Sequence, residues 1–296
     1  MLKAVDVVNL CIKKGEVLGL VGESGCGKTT LGRMMLNLLT PTFGEVIYDG
    51  INLLKLSREE MRRMRRHMQI VFQDPYSSLN PRMTIGNTLA IPMSIQGLYE
   101  GMRKERITYL LERVGLSSRA INRFPHEYSG GQLQRIGIAR ALAVDPAFIV
   151  ADEPVSALDI SIQSQVLNLF KELQEEFHLT CLFIAHDLSV VEFISDRIAV
   201  LYLGKIVEMA ASEKLYRLHL HPYTRHLLSA VMLPDPMIEK RKSAFSLTGE
   251  PSSPINPPPG CRFFSRCAAR KDICKQEIPE LVEVEKDHYV ACLNIQ

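Results

Sequence analysis

The stretch GESGCGKT, Gly22 to Thr29, constrains this chain more than any other. It matches G-x-x-x-x-G-K-[ST] and stands where that pattern carries meaning. The apolar run GEVLGLVG before it reads as a buried parallel strand, and TTLGRMMLNLL after it reads as a helix. Gly22, Gly25 and Gly27 let the backbone wrap closely, so successive amide N–H groups, those of Glu23, Ser24 and Cys26 among them, turn toward a phosphate. The helix opening after Gly27 adds the positive end of its dipole. Lys28 reaches the β- and γ-phosphates, the Thr29 hydroxyl ligates Mg²⁺, and Thr30 follows in the first helical turn. Cys26 reads as a small spacer in the loop, with a redox role as the alternative.

AFIVADE, from Ala147 to Glu153, supplies the second half of such a site. An apolar strand ending in Asp152 suits a carboxylate on the Mg²⁺ side. Glu153, next in the chain, can polarise an attacking water as general base. Without the phosphate loop, two adjacent acids at a strand end would read as a solvated turn.

The rest of the chain supports an α/β architecture. CLFIAHD, from Cys181 to Asp187, is another short buried strand, and the amphipathic helix SQVLNLFKELQEEFH lies between it and AFIVAD. Strands alternating with helices predict a parallel sheet. Residues 84–145 lack strand patterns and read as helical. Ser57 to His67 reads as a charged, arginine-rich helix with a solvated face, an anionic partner being the alternative. DRIAVLYLGKIVEMA has β-rich runs on either side of Gly204-Lys205, a hairpin signal. Seven of the 16 prolines fall between Pro234 and Pro259, which marks a linker or surface strap. A net charge of +2 gives no basic field for nucleic acid. No apolar run approaches a membrane span, and the first residues carry no secretion signal. A cytosolic setting follows as the expectation, and there stable disulfides are rare.

YSGGQLQRIGIARAL, from Tyr128 to Leu142, narrows the class. Ser129 caps a helix with a stripe at Leu133, Ile136, Ala139 and Ala143, and Gly130 and Gly131 leave N–H groups open at its start. This is a second anion site. A single nucleotide does not need two, so two chains pairing head to tail could each close over the other's nucleotide. In order and spacing the motifs resemble the ATP-binding subunits of ABC transporters, over residues 1 to about 230. The signature is Ser129, Gly130, Gly131 and Gln132, with Tyr128 where the family commonly has Leu or Phe. The resemblance makes Gln73 in VFQDP a ligand of Mg²⁺ and of the attacking water that senses the membrane subunit. It makes His186 a γ-phosphate contact and Asp159 in SALD a residue acting across the dimer interface. In the family an aromatic residue stacks on adenine roughly 25 residues before the phosphate loop, which here falls before Met1. Either the chain begins late or it lacks that platform and a first edge strand, so a weakened hold on ATP is expected.

HPYTRHLLSAV, GEPSSPINPPPGC and the later cysteines resemble the C-terminal region of oligopeptide/dipeptide importer ATPases, a subfamily that includes nickel importers. Four of the seven cysteines, Cys261, Cys267, Cys274 and Cys292, lie in the last 36 residues. They lack the C-x₂-C pairs of a zinc ribbon. The subfamily resemblance implies a [4Fe–4S] cluster in at least some members; zinc or unmetallated thiols are the alternatives. Arg262, Arg266, Arg270 and Lys271 would offset an anionic cluster or form a solvated basic face.

The expected fold is therefore a P-loop NTPase (RecA-like) core with an inserted helical subdomain near 84–145 and an antiparallel β portion. The nucleotide-binding domain would span 1–231, a Pro-rich linker 232–260 and a Cys-rich region 261–296. The resemblance implies an ATPase that powers peptide import at the cytoplasmic face of the membrane. Its partners would be a second ATP-binding subunit (identical or a paralogue), two polytopic permease subunits and, indirectly, an extracytoplasmic solute-binding protein, with no nucleic acid. The rivals are nickel or another small solute as cargo, a soluble ABC ATPase, and a P-loop kinase, which would lack SGGQ. ATP chemistry is expected to survive loss of the tail.

Overall fold

The computed structural model describes residues 2–229, 253 and 255–295, so most of the expected Pro-rich linker lies outside the described residues. Strand β1 (Val17–Val21) is followed by helix α1 (Lys28–Met35), then by the two-residue strands β2 (Ile47–Tyr48) and β3 (Ile51–Asn52). Next come α2 (Arg58–Met64), β4 (Met68–Val71), α3 (Pro75–Ser78), α4 (Ile85–Ile95), α5 (Arg103–Arg113) and α6 (Gly130–Leu142). The chain continues through β5 (Phe148–Asp152), α7 (Ile160–Phe177), β6 (Thr180–Ala185), α8 (Leu188–Ile194), β7 (Arg197–Tyr202) and β8 (Lys205–Ala211). It closes with α9 (Ser212–Arg217), α10 (Pro222–Ser229), β9 (Val282–Glu285) and β10 (His288–Val290).

Two compact units form. The first gathers Met1–Cys11, Val17–Leu31 and Ile184–Gln296; the second gathers Ile12–Glu16 and Gly32–Phe183.

In the first unit the strand order is β1-β7-β8-β10-β9. β1 runs parallel to β7, and the expected hairpin is the antiparallel pair β7–β8. β10, from the tail, adds antiparallel to β8, so the C-terminal region joins this sheet. Every residue of β1 is buried, as a strand covered on both faces must be. Tyr202, Tyr223 and Phe263 pack as a buried aromatic cluster, the Tyr202–Phe263 pair edge to face at 5.2 Å.

In the second unit β4 and β5 pair in parallel with Met68 opposite Phe148 and Val71 opposite Ala151, and β6 lies beyond β5. Residues 84–145 contain α4, α5, α6 and short 3₁₀ turns, as their lack of strand patterning predicts. Helix α2 starts in a full capping box between Ser57 and Glu60. Helix α7 buries Val166, Leu169, Phe170 and Leu173 along one stripe and stops at His178, whose φ of +50° is left-handed.

Candidate functional site

The phosphate loop belongs to the first unit. Between β1 and α1, Lys28 turns back over the loop, its Nζ donating to the carbonyls of Gly22 at 2.8 Å and Glu23 at 3.2 Å. Thr29 and Thr30 lie half-buried in the first turn of α1, while Ser24 and Gly25 are exposed at the loop tip. Gly27 is required: at φ +109° a Cβ there would stand 2.2 Å from the Ala4 carbonyl oxygen. Cys26 packs underneath, 3% exposed, and burial raises its thiol pKa. A buried protonated thiol fits the spacer reading better than the redox one.

Residues outside the motif hold the same loop. The Glu23 N–H donates to the Tyr223 hydroxyl at 2.8 Å. Arg266 grips the Glu23 carboxylate with both terminal nitrogens, at 2.8 and 3.0 Å. Arg262 pairs with Asp6 and donates to the Leu203 carbonyl. The sequence leaves these arginines as counter-charges or a solvated face. Arg262 and Arg266 are in fact buried and engaged, and only Arg270 and Lys271 are exposed. A spacing of four between Arg262 and Arg266 was the available signal, but it does not name their partners. His186, also of this unit, is exposed just past β6, before the turn where Asp187 caps α8.

The second unit carries the carboxylates and the signature. Because Val71 faces Ala151, the residues two places beyond each leave neighbouring strands at the same height. They are Gln73 and Glu153, and the Gln73 amide donates to the Glu153 carboxylate at 3.0 Å. Asp152 is buried at the end of β5. Glu153 itself sits at φ +47°, a conformation that costs a non-glycine residue roughly 1–2 kcal/mol. Ser129 and Gln132 form a capping box at the start of α6. The box employs the N–H groups of Ser129 and Gln132. Those of Gly130 and Gly131 have no acceptor within the helix, as in any first turn. Gly131 must be glycine, since a Cβ would meet Ile162 of α7 at 2.4 Å. Asp159 is the N-cap residue of α7 yet makes no side-chain cap bond, so its exposed carboxylate is not committed to the helix start.

Two further side chains of α6 reach back toward the Gln73 segment. Gln134, 1% exposed, donates to the Phe72 carbonyl, and Arg140 donates to the Ser78 carbonyl with its guanidinium over the Phe72 ring. Signature helix and glutamine segment are thus one mechanical piece.

The four tail cysteines are buried or half-buried free thiols of the first unit. The Cys261 N–H donates to the Cys274 carbonyl at 2.8 Å. Burial pushes the Cys261 thiol up to about 11, and each of the other three adds a smaller upward push. The donor chemistry suits iron. Among the described residues, however, no three His, Cys, Asp or Glu side chains are gathered closely enough to hold a metal ion. As folded here the thiols do not fit a cluster without drawing together.

Known proteins resemble this chain along nearly its whole length. The ABC transporter family profile matches residues 5–156, and the oligopeptide/dipeptide transporter C-terminal region profile matches residues 207–274. A Brucella ovis protein provisionally named a peptide import ATP-binding protein is 55% identical over 293 residues, 99% of this chain and 92% of that protein. The oligopeptide transport ATP-binding protein AppF of Bacillus subtilis is 52% identical over 292 residues, 98% of this chain and 89% of its own length. Among solved structures, a dimeric ATP-binding cassette in a post-hydrolysis state with ADP and Pi superposes with a TM-score of 0.64. It is 35% identical, over 71% of this chain and 90% of that one. CbiO1 of Clostridium perfringens, part of an ABC transporter complex, gives 0.66 at 28% identity, over 72% and 84%.

Proposed function

The chain belongs to the ABC transporter family of ATPases, hydrolysing ATP with Mg²⁺, and from that premise we propose that it powers an importer of oligopeptides or dipeptides. The cargo reading is supported by the C-terminal profile over residues 207–274 and by the relatives' names as oligopeptide transport ATP-binding proteins.

The observation that carries the catalytic assignment is the Gln73–Glu153 hydrogen bond, because it fixes a carboxylate and an amide side by side at two parallel strand ends. In our reading Glu153 takes a proton from the attacking water while Gln73 orients that water. Backbone N–H groups of the loop up to Thr29 cradle the β-phosphate, that of Glu23 excepted because it donates to the Tyr223 hydroxyl, and Lys28 leaves the Gly22 carbonyl to meet the β- and γ-phosphates. His186 holds the γ-phosphate. Thr29, Asp152 and Gln73 would hold Mg²⁺, which when bound would offset phosphate charge. The signature, Ser129 to Gln132, meets the nucleotide held by a second ATP-binding subunit, identical or a paralogue, with Asp159 at that interface.

We place the chain at the cytoplasmic face of the membrane, docked on two polytopic permease subunits and served by an extracytoplasmic binding protein. Among the described residues no helix is long and apolar enough to cross a membrane itself. Residues 1–231 serve as the nucleotide-binding domain with its helical part near 84–145, and 261–296 as the Cys-rich region. For the four cysteines we keep the [4Fe–4S] reading on donor chemistry alone and route no step of ATP hydrolysis through it. Iron content and absorbance of an anaerobic preparation test it.

For the transport reading, the chain is co-expressed with candidate permease subunits and placed in proteoliposomes with a candidate binding protein. Peptide should raise ATP hydrolysis and enter the vesicles. Hydrolysis that ignores both peptide and membrane partners would reject the importer.

A further inference from the structure

The sequence makes the tail look dispensable for ATP chemistry, but the contacts in the first unit argue otherwise. At the start of the loop, Glu23 is held at three points. Its N–H donates to Tyr223, its carboxylate takes both terminal nitrogens of Arg266, and its carbonyl accepts from Lys28. At the loop's other end, the Gly27 backbone lies against the Ala4 carbonyl, and Cys26 O accepts from the Gly204 N–H at 2.8 Å. The Ala4 segment is itself pinned from the tail, because Arg262 binds Asp6 and the Leu203 carbonyl beside Gly204. Tyr223 is 0% exposed and sits on α10. The start of α10 is fastened by Glu208, whose carboxylate accepts from the N–H groups of Leu220 and His221 and meets the His288 ring.

A phosphate cradle works only if its N–H groups already converge, since ordering a loop on binding subtracts from affinity. An Arg–carboxylate fork is among the strongest and most directional hydrogen-bonded fastenings a side chain offers, and here it is largely shielded from water. The fork does not touch phosphate; it sets the shape of the loop that does.

We propose that the C-terminal segment is a working part of the nucleotide site, with Arg266 and Tyr223 acting as positioning residues that hold the phosphate loop ready through Glu23. The proposal rests on the reading of residues 22–29 as the phosphate loop. It makes the tail a second input to ATP affinity: whatever displaces residues 261–267 releases the Arg266–Glu23 fork and the Arg262 anchor of the Ala4 segment.

The test measures the affinity of the full chain for MgATP in Arg266→Met, which keeps the packed stem, Glu23→Gln, Tyr223→Phe and the Glu23→Gln/Arg266→Met double variant. Arg266→Met and Glu23→Gln should each weaken binding by about 5- to 150-fold, the usual range for linked sites. The double variant should be no weaker than the worse single variant, because both changes break one bond. In Arg266→Met the KM for ATP should rise while kcat at saturating ATP is retained, the signature of lost ground-state binding. An exchanged pair, Glu23→Arg with Arg266→Glu, should recover part of the loss. Binding within about twofold of wild type in both Arg266→Met and Glu23→Gln, or losses that multiply in their double, would overturn the proposal, and unchanged affinity in Tyr223→Phe would remove Tyr223 from it. If buried Arg266→Met does not fold, half-exposed Glu23→Gln still decides the question. Lys28→Ala is the control: if it leaves affinity unchanged, the phosphate-loop reading itself fails. If Lys28→Ala abolishes binding while the tail variants do not weaken it, only the role of the tail fails.

Discussion

Glu153 is held in a left-handed backbone conformation with its carboxylate on the Gln73 amide, and a glutamine of the same length still offers that amide an acceptor oxygen. Glu153→Gln should therefore fold and bind MgATP as wild type does, while kcat falls by about 10²- to 10⁴-fold, the usual worth of a general base. Single-turnover hydrolysis measures this; substantial remaining turnover would remove Glu153 from the role. Glu153 was legible in the sequence because it stands just past an apolar strand. Gln73 was legible only through the resemblance of VFQDP to the family's motif, and the parallel register that brings the two together belongs to the fold. Arg266 and Tyr223 were not legible. Their partner in the loop lies 243 and 200 residues away, and nothing in local pattern fixes a contact at that separation.

At the scale of elements, α10 is placed by a buried carboxylate. Glu208, fully buried, answers two backbone donors at the start of that helix and the His288 ring at 2.8 Å. Glu208→Ala would leave those donors buried without an acceptor, at a cost on the order of 3 kcal/mol. A clear fall in Tm should accompany weaker ATP binding, since Tyr223 rides on α10; an unchanged Tm would refute the account. His221, in the same turn, accepts from the Tyr223 N–H and is held neutral by burial, its pKa lowered to about 3 from 6.5. Between those values the unfolded chain takes up a proton that the folded chain refuses. This contribution is therefore fully present above about pH 6.5 and is lost progressively as pH falls toward 3. Thermal melts across that range should show it, with a shallower acid dependence in His221→Asn. HPYTRHLLSAV was legible only as a family resemblance, and the burial that gives the histidine its task was not legible at all.

For the whole molecule, the two helix starts proposed as anion sites, α1 in one unit and α6 in the other, would exceed what one nucleotide uses in one chain. Glu153→Gln with MgATP should accumulate a dimer, with itself or with its paralogue, that dissociates when Mg²⁺ is chelated. Light scattering measures it, and a monomer at every nucleotide concentration would refute head-to-tail closure. The alternation of strands and helices made the α/β architecture legible from composition and period alone. The tail's place in the first sheet was hidden, because β9 and β10 are four and three residues long and take their meaning from β8. The arrangement of the loop also gives the protein a built-in reporter. Cys26 is sealed beneath the loop, whereas Cys11 is exposed. A maleimide should therefore label Cys11 at once and Cys26 only when the loop lifts. The ratio of the two labelling rates is a clock for loop opening, slowed by nucleotide and quickened by any change that loosens the tail.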